Sequence, residues 1–448
     1  MIDSLKIYLT NLNCFYPELL GLKFSRYKKN RIQENLNAFD ATDELLDVVN
    51  HAIDSVPFYK KRYQEHLHSL DDFTHKMGFI DKDTVIQNFA EFLLPDVNNR
   101  KTTKGTTGGT SGKPLQLILP KDRYVFELAT MYTMWSNIDW HGQTRAILRN
   151  HHLGKNQVFK VDPVKKEVIF DGFRTSDDYY FTIYKTLNKY KIRFIHAYPS
   201  SVYQLAKFIY RENLNIDFLK GVLCGSEMLL PEQKDLIQNR LGLKIYHWYG
   251  HSEKLVLGGY CRGSELIHVE PTYGYFELID DKGKGITEVG KTGEIVGTTL
   301  HNHIMPLIRY RTGDFAEYAG DYCPYCKRYL PLIKNIEGRW DINRIYLSDM
   351  TYVSTTALNL HNDLYSFIDG MQYIQHEPGR LEIILIKGAG YNASIEMKLK
   401  EHFENAFKDK CEFSITYTNM LTKEANGKFL LLKQYSKELQ QNITRLHD

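Results

Sequence analysis

At 448 residues the chain exceeds one ordinary hydrophobic core, so two or three domains are expected. A hydrophobic share of 43% and a charged share of 25% are those of a soluble globular protein, and 57 Lys plus Arg against 54 Asp plus Glu leave a formal charge of +3 that gives no ground for a nucleic-acid partner. Asp3, Lys6 and Glu18 break up the first twenty residues, so neither a signal peptide nor a membrane span is expected; a helix docked on a membrane surface is the other reading of that segment. Six cysteines are sparse for a disulfide scaffold, and a reducing cytoplasm is the expected location.

Leu45, Leu46, Val49, Ala52 and Ile53 lie at helical spacing within 30–70, and Pro57 interrupts that helix. Gly105-Thr106-Thr107-Gly108-Gly109-Thr110-Ser111-Gly112-Lys113-Pro114 follows and runs into the strand-like 115–119, which puts a glycine loop between two strands. Helices over about 121–137, 176–190, 200–213 and 231–240 then alternate with strands at 146–148, 194–197, 221–224 and 244–246. This alternation predicts an α/β fold with a largely parallel sheet. From about 273 the pattern turns β-rich, with strands at 273–279 and 293–300. Past Glu337, strands at 373–376, 380–387 and 412–417 with a helix at 392–408 suggest a small α+β module. The expected division is 1–337, with 255–335 its β-rich part, and 338–448.

The glycine run carries the most chemistry. Its glycines let the backbone approach a ligand, and four hydroxyls and Lys113 add donors, making a cradle for a polyphosphate. It departs from the common nucleoside-triphosphatase loop, because Thr107 stands where that loop has glycine and Pro114 where it has Ser or Thr. A surface linker is its plainer reading. Cys323-Pro324-Tyr325-Cys326, with Cys261 and His268 upstream, supplies three thiolates and one imidazole, a closed tetrahedral set for structural Zn²⁺. A redox pair or unpaired thiols are the alternatives. Cys14, Cys224 and Cys411 read as packing residues.

Taken in order, the glycine run, Gly225-Ser226-Glu227, Tyr249-Gly250-His251-Ser252-Glu253, Arg309-Tyr310-Arg311-Thr312-Gly313-Asp314, Gly338-Arg339-Trp340-Asp341 and Asn426-Gly427-Lys428 form a series. It resembles that of the adenylate-forming superfamily of acyl-CoA synthetases and nonribosomal adenylation domains. The chain looks most like the phenylacetate–CoA ligase branch, which includes capsule-biosynthesis proteins, over roughly 50–430.

The resemblance implies a large N-terminal multi-sheet α/β domain with a β-rich subdomain, plus a small mobile α+β C-terminal domain turning about a hinge near Asp341. It implies activation of a small-molecule carboxylate by ATP, giving an acyl-adenylate and pyrophosphate, then transfer to an acceptor thiol or amine. CoA is the default acceptor. Amide formation on an amino acid or amino sugar in surface-polysaccharide synthesis is one alternative, and a non-catalytic zinc-stabilised scaffold is another. A homodimer is compatible with it.

By the same resemblance, Thr106, Thr107, Gly108, Gly109, Thr110, Ser111, Gly112 and Lys113 hold the β- and γ-phosphates. Gly225, Ser226, Glu227, Tyr249, Gly250, His251 and Ser252 line the nucleotide. Glu253 sits beside Mg²⁺, Asp314 accepts from the ribose hydroxyls, Arg339 lies near the nucleotide and Lys428 is the catalytic lysine. The segments around His196 and His247 border the acyl pocket, and some members of the branch place Cys and His similarly for zinc. Taken singly, Glu253 reads as a solvated loop carboxylate, Asp314 and Gly225–Glu227 as turns, Arg339 as a surface ion pair and Lys428 as an exposed hairpin residue. Asn343-Arg344-Ile345 departs from the pattern frequent after the hinge.

Overall fold

The computed structural model describes residues 40–107, 115–163, 165–338, 344–355 and 367–422, with Ile7, 357–358, 360, 364 and 431–435. Helix α1 (Thr42–Ser55) buries Leu45, Val48, Val49, Ala52 and Ile53 on one stripe and stops ahead of Pro57, which opens a short new helical turn. Strands β1 (Thr102–Thr106) and β2 (Gln116–Pro120) pair antiparallel, with Thr106 opposite Gln116. The glycine run therefore falls between two paired strands.

Next come α2 (Arg123–Trp135), β3 (Arg145–Leu148), β4 (Phe159–Asp162), β5 (Glu167–Phe170), α3 (Asp177–Lys189), β6 (Phe194–Ala197), α4 (Pro199–Arg211), β7 (Gly221–Gly225) and β8 (Lys244–Gly250). They are followed by β9 (Leu257–Cys261), β10 (Ser264–Val269), β11 (Gly274–Ile279), β12 (Thr292–Thr299), β13 (Tyr310–Tyr322) and β14 (Tyr329–Glu337). Twelve of these strands form one sheet in the order β11-β12-β13-β14-β10-β9-β8-β7-β6-β3-β5-β4.

The sheet is parallel only across β5-β3-β6-β7-β8 and antiparallel elsewhere, so the largely parallel expectation holds for five strands. The reason lies in the connections. Helices α3 and α4 provide crossovers long enough to return the chain in the same direction, whereas β8 to β9 and β9 to β10 are joined by short turns that reverse it. The β-rich stretch thus continues the parallel half, joined through Trp248 opposite Gly259.

Side chains alternate across the parallel strands and build two cores. Ala146, Leu148, Ile195, Ala197, Val222 and Cys224 face α3 and α4. Phe194, Leu223, Tyr246 and Trp248 face α2 with Trp135 and Trp140. A third core lies under the β-rich half against α1.

Beyond Glu337, β15 (Arg344–Tyr346) pairs with β16 (Tyr352–Ser354). A separate four-stranded sheet follows, built from β17 (Ile368–Glu377), β18 (Arg380–Lys387), β19 (Glu412–Tyr417) and β20 (Leu432–Gln434) in the order β19-β18-β17-β20. Helix α5 (Ala393–Phe407), capped by the Asn392 side chain, covers it through Ile395, Leu399, Phe403 and Phe407. No helix among the described residues is long and apolar enough to cross a membrane.

Candidate active site and metal centre

A cavity of about 460 Å³ opens at the C-terminal ends of the parallel strands, where open α/β sheets bind ligands. Thr107, Ser226, Gly250, His251, Ser252, Glu253 and Asp314 line it, drawn from four separate motifs. The turn after β7 is shaped for this. A Cβ on Gly225 would lie within 2.8 Å of the Trp248 ring and carbonyl, so only glycine lets β7 pass there. Ser226 then takes a φ of 67°, a conformation that non-glycine residues rarely adopt, and enters the cavity wall.

Glu253 is enclosed by a small network. His251 Nδ1 donates to one carboxylate oxygen at 3.1 Å, and the Tyr310 hydroxyl donates to the other at 3.1 Å. The Val256 N–H donates to His251 Nε2 at 3.2 Å, which fixes the tautomer. Burial raises the Glu253 pKa, but the His251 hydrogen bond and the Lys82 ammonium outweigh it and hold the carboxyl at about 2. A largely enclosed carboxylate that stays ionised suits a hard divalent cation. Asp314, on β13, accepts from the Tyr249 hydroxyl at 2.9 Å and lies on the same cavity.

Not every expected residue reaches the wall. Tyr249 is buried behind Asp314, and neither Thr106 nor Gly225 is on the lining. The Glu227 carboxylate accepts from the Ser200 N–H at 3.0 Å and from the Ser354 hydroxyl on β16, so it joins the cavity rim to the C-terminal region instead of lining the cavity. Gly108, Gly109, Thr110, Ser111, Gly112, Lys113, Arg339, the hinge residue Asp341 and Lys428 lie outside the described residues.

The other wall was only partly legible. His196, whose segment the resemblance sets beside the acyl pocket, lines this wall, together with Arg149, Arg145 and the α2 stripe of Tyr124, Glu127, Leu128, Met131 and Trp135, which no motif marks. Their spacing repeats at helical intervals, and that stripe was the available signal. Arg149 Nη1 donates to His196 Nε2 at 2.8 Å and Nη2 donates to the Ser226 hydroxyl at 3.1 Å. Burial, followed by the charges of Arg149 and Arg145, pushes the His196 pKa well down, so its imidazole is neutral.

Elsewhere Cys261, His268, Cys323 and Cys326 bring one ligand atom each within 4.8 Å of one another. Cys261 and Cys323 come from β9 and the β13–β14 turn, and their sulfurs are 3.9 Å apart. Tetrahedral Zn–S bonds of about 2.3 Å require roughly 3.8 Å. His268 Nδ1 donates to the Leu266 carbonyl at 2.8 Å, and its Nε2 is buried with no hydrogen-bond partner. That orientation presents a lone pair to the three sulfurs. Burial opposes ionisation of Cys323, but the backbone N–H groups of Cys326 and Tyr325 outweigh it and lower its pKa. The donor set fits zinc.

No family model matches the chain. It is 22% identical over 365 residues to Protein CapK of Staphylococcus aureus, covering 78% of this chain and 77% of that protein. It is 25% identical over 320 residues to the phenylacetate–coenzyme A ligase of Pseudomonas putida, covering 65% and 68%. The solved structure of 2-hydroxyisobutyryl-CoA ligase in the thioesterification state, with 2-HIB-AMP and CoA, superposes with a TM-score of 0.56 at 17% identity, over 90% of this chain and 91% of that one. In sequence the chain is similar to CapK and to phenylacetate–CoA ligase, the branch its motif series resembles, and it shares the fold of 2-hydroxyisobutyryl-CoA ligase.

Proposed function

We propose that the protein activates a carboxylic acid with ATP and passes the acyl group to CoA. The substrate carboxylate oxygen attacks the α-phosphorus, the O–Pα bond forms, and pyrophosphate leaves with the bridging oxygen. The thiol of CoA then displaces AMP. The reading is carried by the meeting of Thr107, Ser226, Ser252–Glu253 and Asp314 around one cavity at the strand ends. Residues so distant in sequence have no packing reason to converge on one open space.

In this reading Thr107 and the run after it hold the β- and γ-phosphates, and the ionised Glu253 holds Mg²⁺, which neutralises charge on the leaving group. Asp314 offers acceptor oxygen to a ribose diol. Lys428 bridges the reacting carboxylate and the α-phosphate, a task suited to an ammonium on a long stem. Residues 1–337 form the large unit. Residues 338–448 form the small one, which brings Lys428 in for adenylation and withdraws it for transfer. Zn²⁺ held by Cys261, His268, Cys323 and Cys326 is structural, because four protein ligands leave no open position.

ATP–pyrophosphate exchange over a panel of aryl, alkyl, hydroxy and amino acids tests the first step. At least one acid should support exchange, and adding CoA should then yield its thioester. If every acid fails while ATP still binds, the ligase reading falls. If thioester is absent but an amine is acylated, only the acceptor changes.

A further inference from the structure

At the deep end of the cavity several N–H donors have no acceptor. Arg145, His196 and Trp248 sit on the α2-facing side of β3, β6 and β8, and Trp135 of α2 packs over them. The His196 ring meets the Trp135 ring edge-on at 5.2 Å and the Trp248 ring at 5.4 Å. Arg149 and Arg145 are four residues apart on this face, a span of about 13 Å at strand rise. The cavity therefore runs from Ser226 at the strand ends to Arg145 at the strand starts.

His196 gives its Nε2 to Arg149, so Nδ1 carries the hydrogen, and that N–H has no partner. Trp135 Nε1 has none either, nor have Arg145 Nε and Nη1. These groups come from α2, β6 and β3, all line the one cavity, and Trp135 and Arg145 are at most 4% exposed. Buried donors left unmade are rare, and several around one space point to an acceptor that arrives with the ligand.

The charges narrow the choice. Arg145 is already ion-paired with Glu167 at 2.5 Å, so its end of the cavity has no excess charge to match. Arg149 differs. Its side-chain partners are neutral His196 and Ser226, and no carboxylate pairs with it among the described residues. An anion belongs beside Arg149 and a neutral oxygen belongs deeper.

We infer that the acid activated here is a hydroxy or oxo acid, its reacting carboxylate lying toward Arg149 and its distal neutral oxygen accepting from the Trp135, His196 and Arg145 N–H groups. This rests on the ligase reading and sharpens it to a substrate class. A plain aryl or alkyl acid would bury those donors unpaired. A distal ammonium would face the Arg145 guanidinium and leave the N–H donors unpaired, and a second carboxylate would face Glu167. Sites built to hydrogen-bond a substrate oxygen reject analogues lacking it by up to about 10⁴–10⁵-fold.

The test is exchange kinetics with matched sets: phenylacetate against 4-hydroxyphenylacetate, and hexanoate against 5-oxohexanoate, 6-aminohexanoate and adipate. The oxygenated acids should exceed their parents by at least about 100-fold in kcat/KM. Trp135→Phe, which keeps an aromatic side chain but removes the N–H together with the five-membered ring, should cut that preference by at least about tenfold through a higher KM for the oxygenated acid, over and above the loss of Tm that the smaller ring causes. Exchange supported equally or better by parent, amino or dicarboxylic acids overturns the inference and leaves the ligase reading standing. If nothing supports exchange, the ligase reading fails, and thermal shifts with the same acids then decide this one. A larger shift with the oxygenated acid, lost in Trp135→Phe, sustains it, and equal shifts overturn it.

Discussion

The cavity and the thiol–imidazole cluster gather polar residues by different means. The cluster is built on neighbouring hairpins of the β-rich half, and its four ligand atoms close on one point. The cavity takes residues from β-strand ends, turns and helices spread from Lys82 to Asp314, and Glu253 and Asp314 line its open space. A closed set of donors satisfies itself with one ion and stabilises the fold. An open set with unpartnered donors is held ready for a ligand, and the rest of the molecule must offset the cost.

Substitution should separate the two regions. The largest effect is expected at Lys428, outside the described residues. Lys428→Ala should lower ATP–pyrophosphate exchange by about 10²–10³-fold while Tm stays within about 2 °C of the unaltered protein. Parallel losses of activity and Tm would instead place Lys428 with the structural residues. In the cluster the pattern should invert. The native protein should carry about one zinc per chain by elemental analysis, and Cys326→Ser should lose it and lower Tm by about 5–10 °C. The folded fraction should keep its exchange activity at lower temperature. A native protein free of metal refutes the cluster assignment.

The smallest effect concerns His152, a half-buried residue belonging to neither region. It stacks on Phe173 at 4.3 Å and meets His402 edge-on, with both ring nitrogens unpartnered. Burial, followed by the charge of His402, pulls its pKa down to about 4. An unfolded histidine binds its proton near 6.5, so between about 6.5 and 4 the unfolded chain holds the extra proton. Stability contributed by neutral His152 is complete above that window and is lost as pH falls through it. His152→Phe should flatten the acid side of the Tm–pH curve by a few degrees, and an unchanged curve would remove His152 as the source.

Much of the fold was legible because it is periodic. The α1 stripe, the Pro57 break and strands β6, β7 and β18 follow from 3.6- and 2-residue patterns. Strands β9, β10, β13 and β14 were not read, since glycines, charges and bulges interrupt their alternation. In the site, Glu253 and Asp314 were marked by their motifs. Glu227 carried the same kind of signal, yet it binds Ser200 and Ser354, because a motif fixes residue order and leaves side-chain direction to the packing around it.

The amino-acid sequence alone determined the set of motifs, their order and the local helices and strands that carry them, since each depends on neighbours a few residues away. Only the tertiary structure decided which residues share a space. The sheet order sets β3 between β5 and β6, and so brings Arg149 to His196 across 47 positions. Pairing of β10 with both β9 and β14 likewise brings Cys261 to Cys323 across 62. Those pairings follow from crossover direction and the burial of two sheet faces at once, which no local stretch of chain encodes.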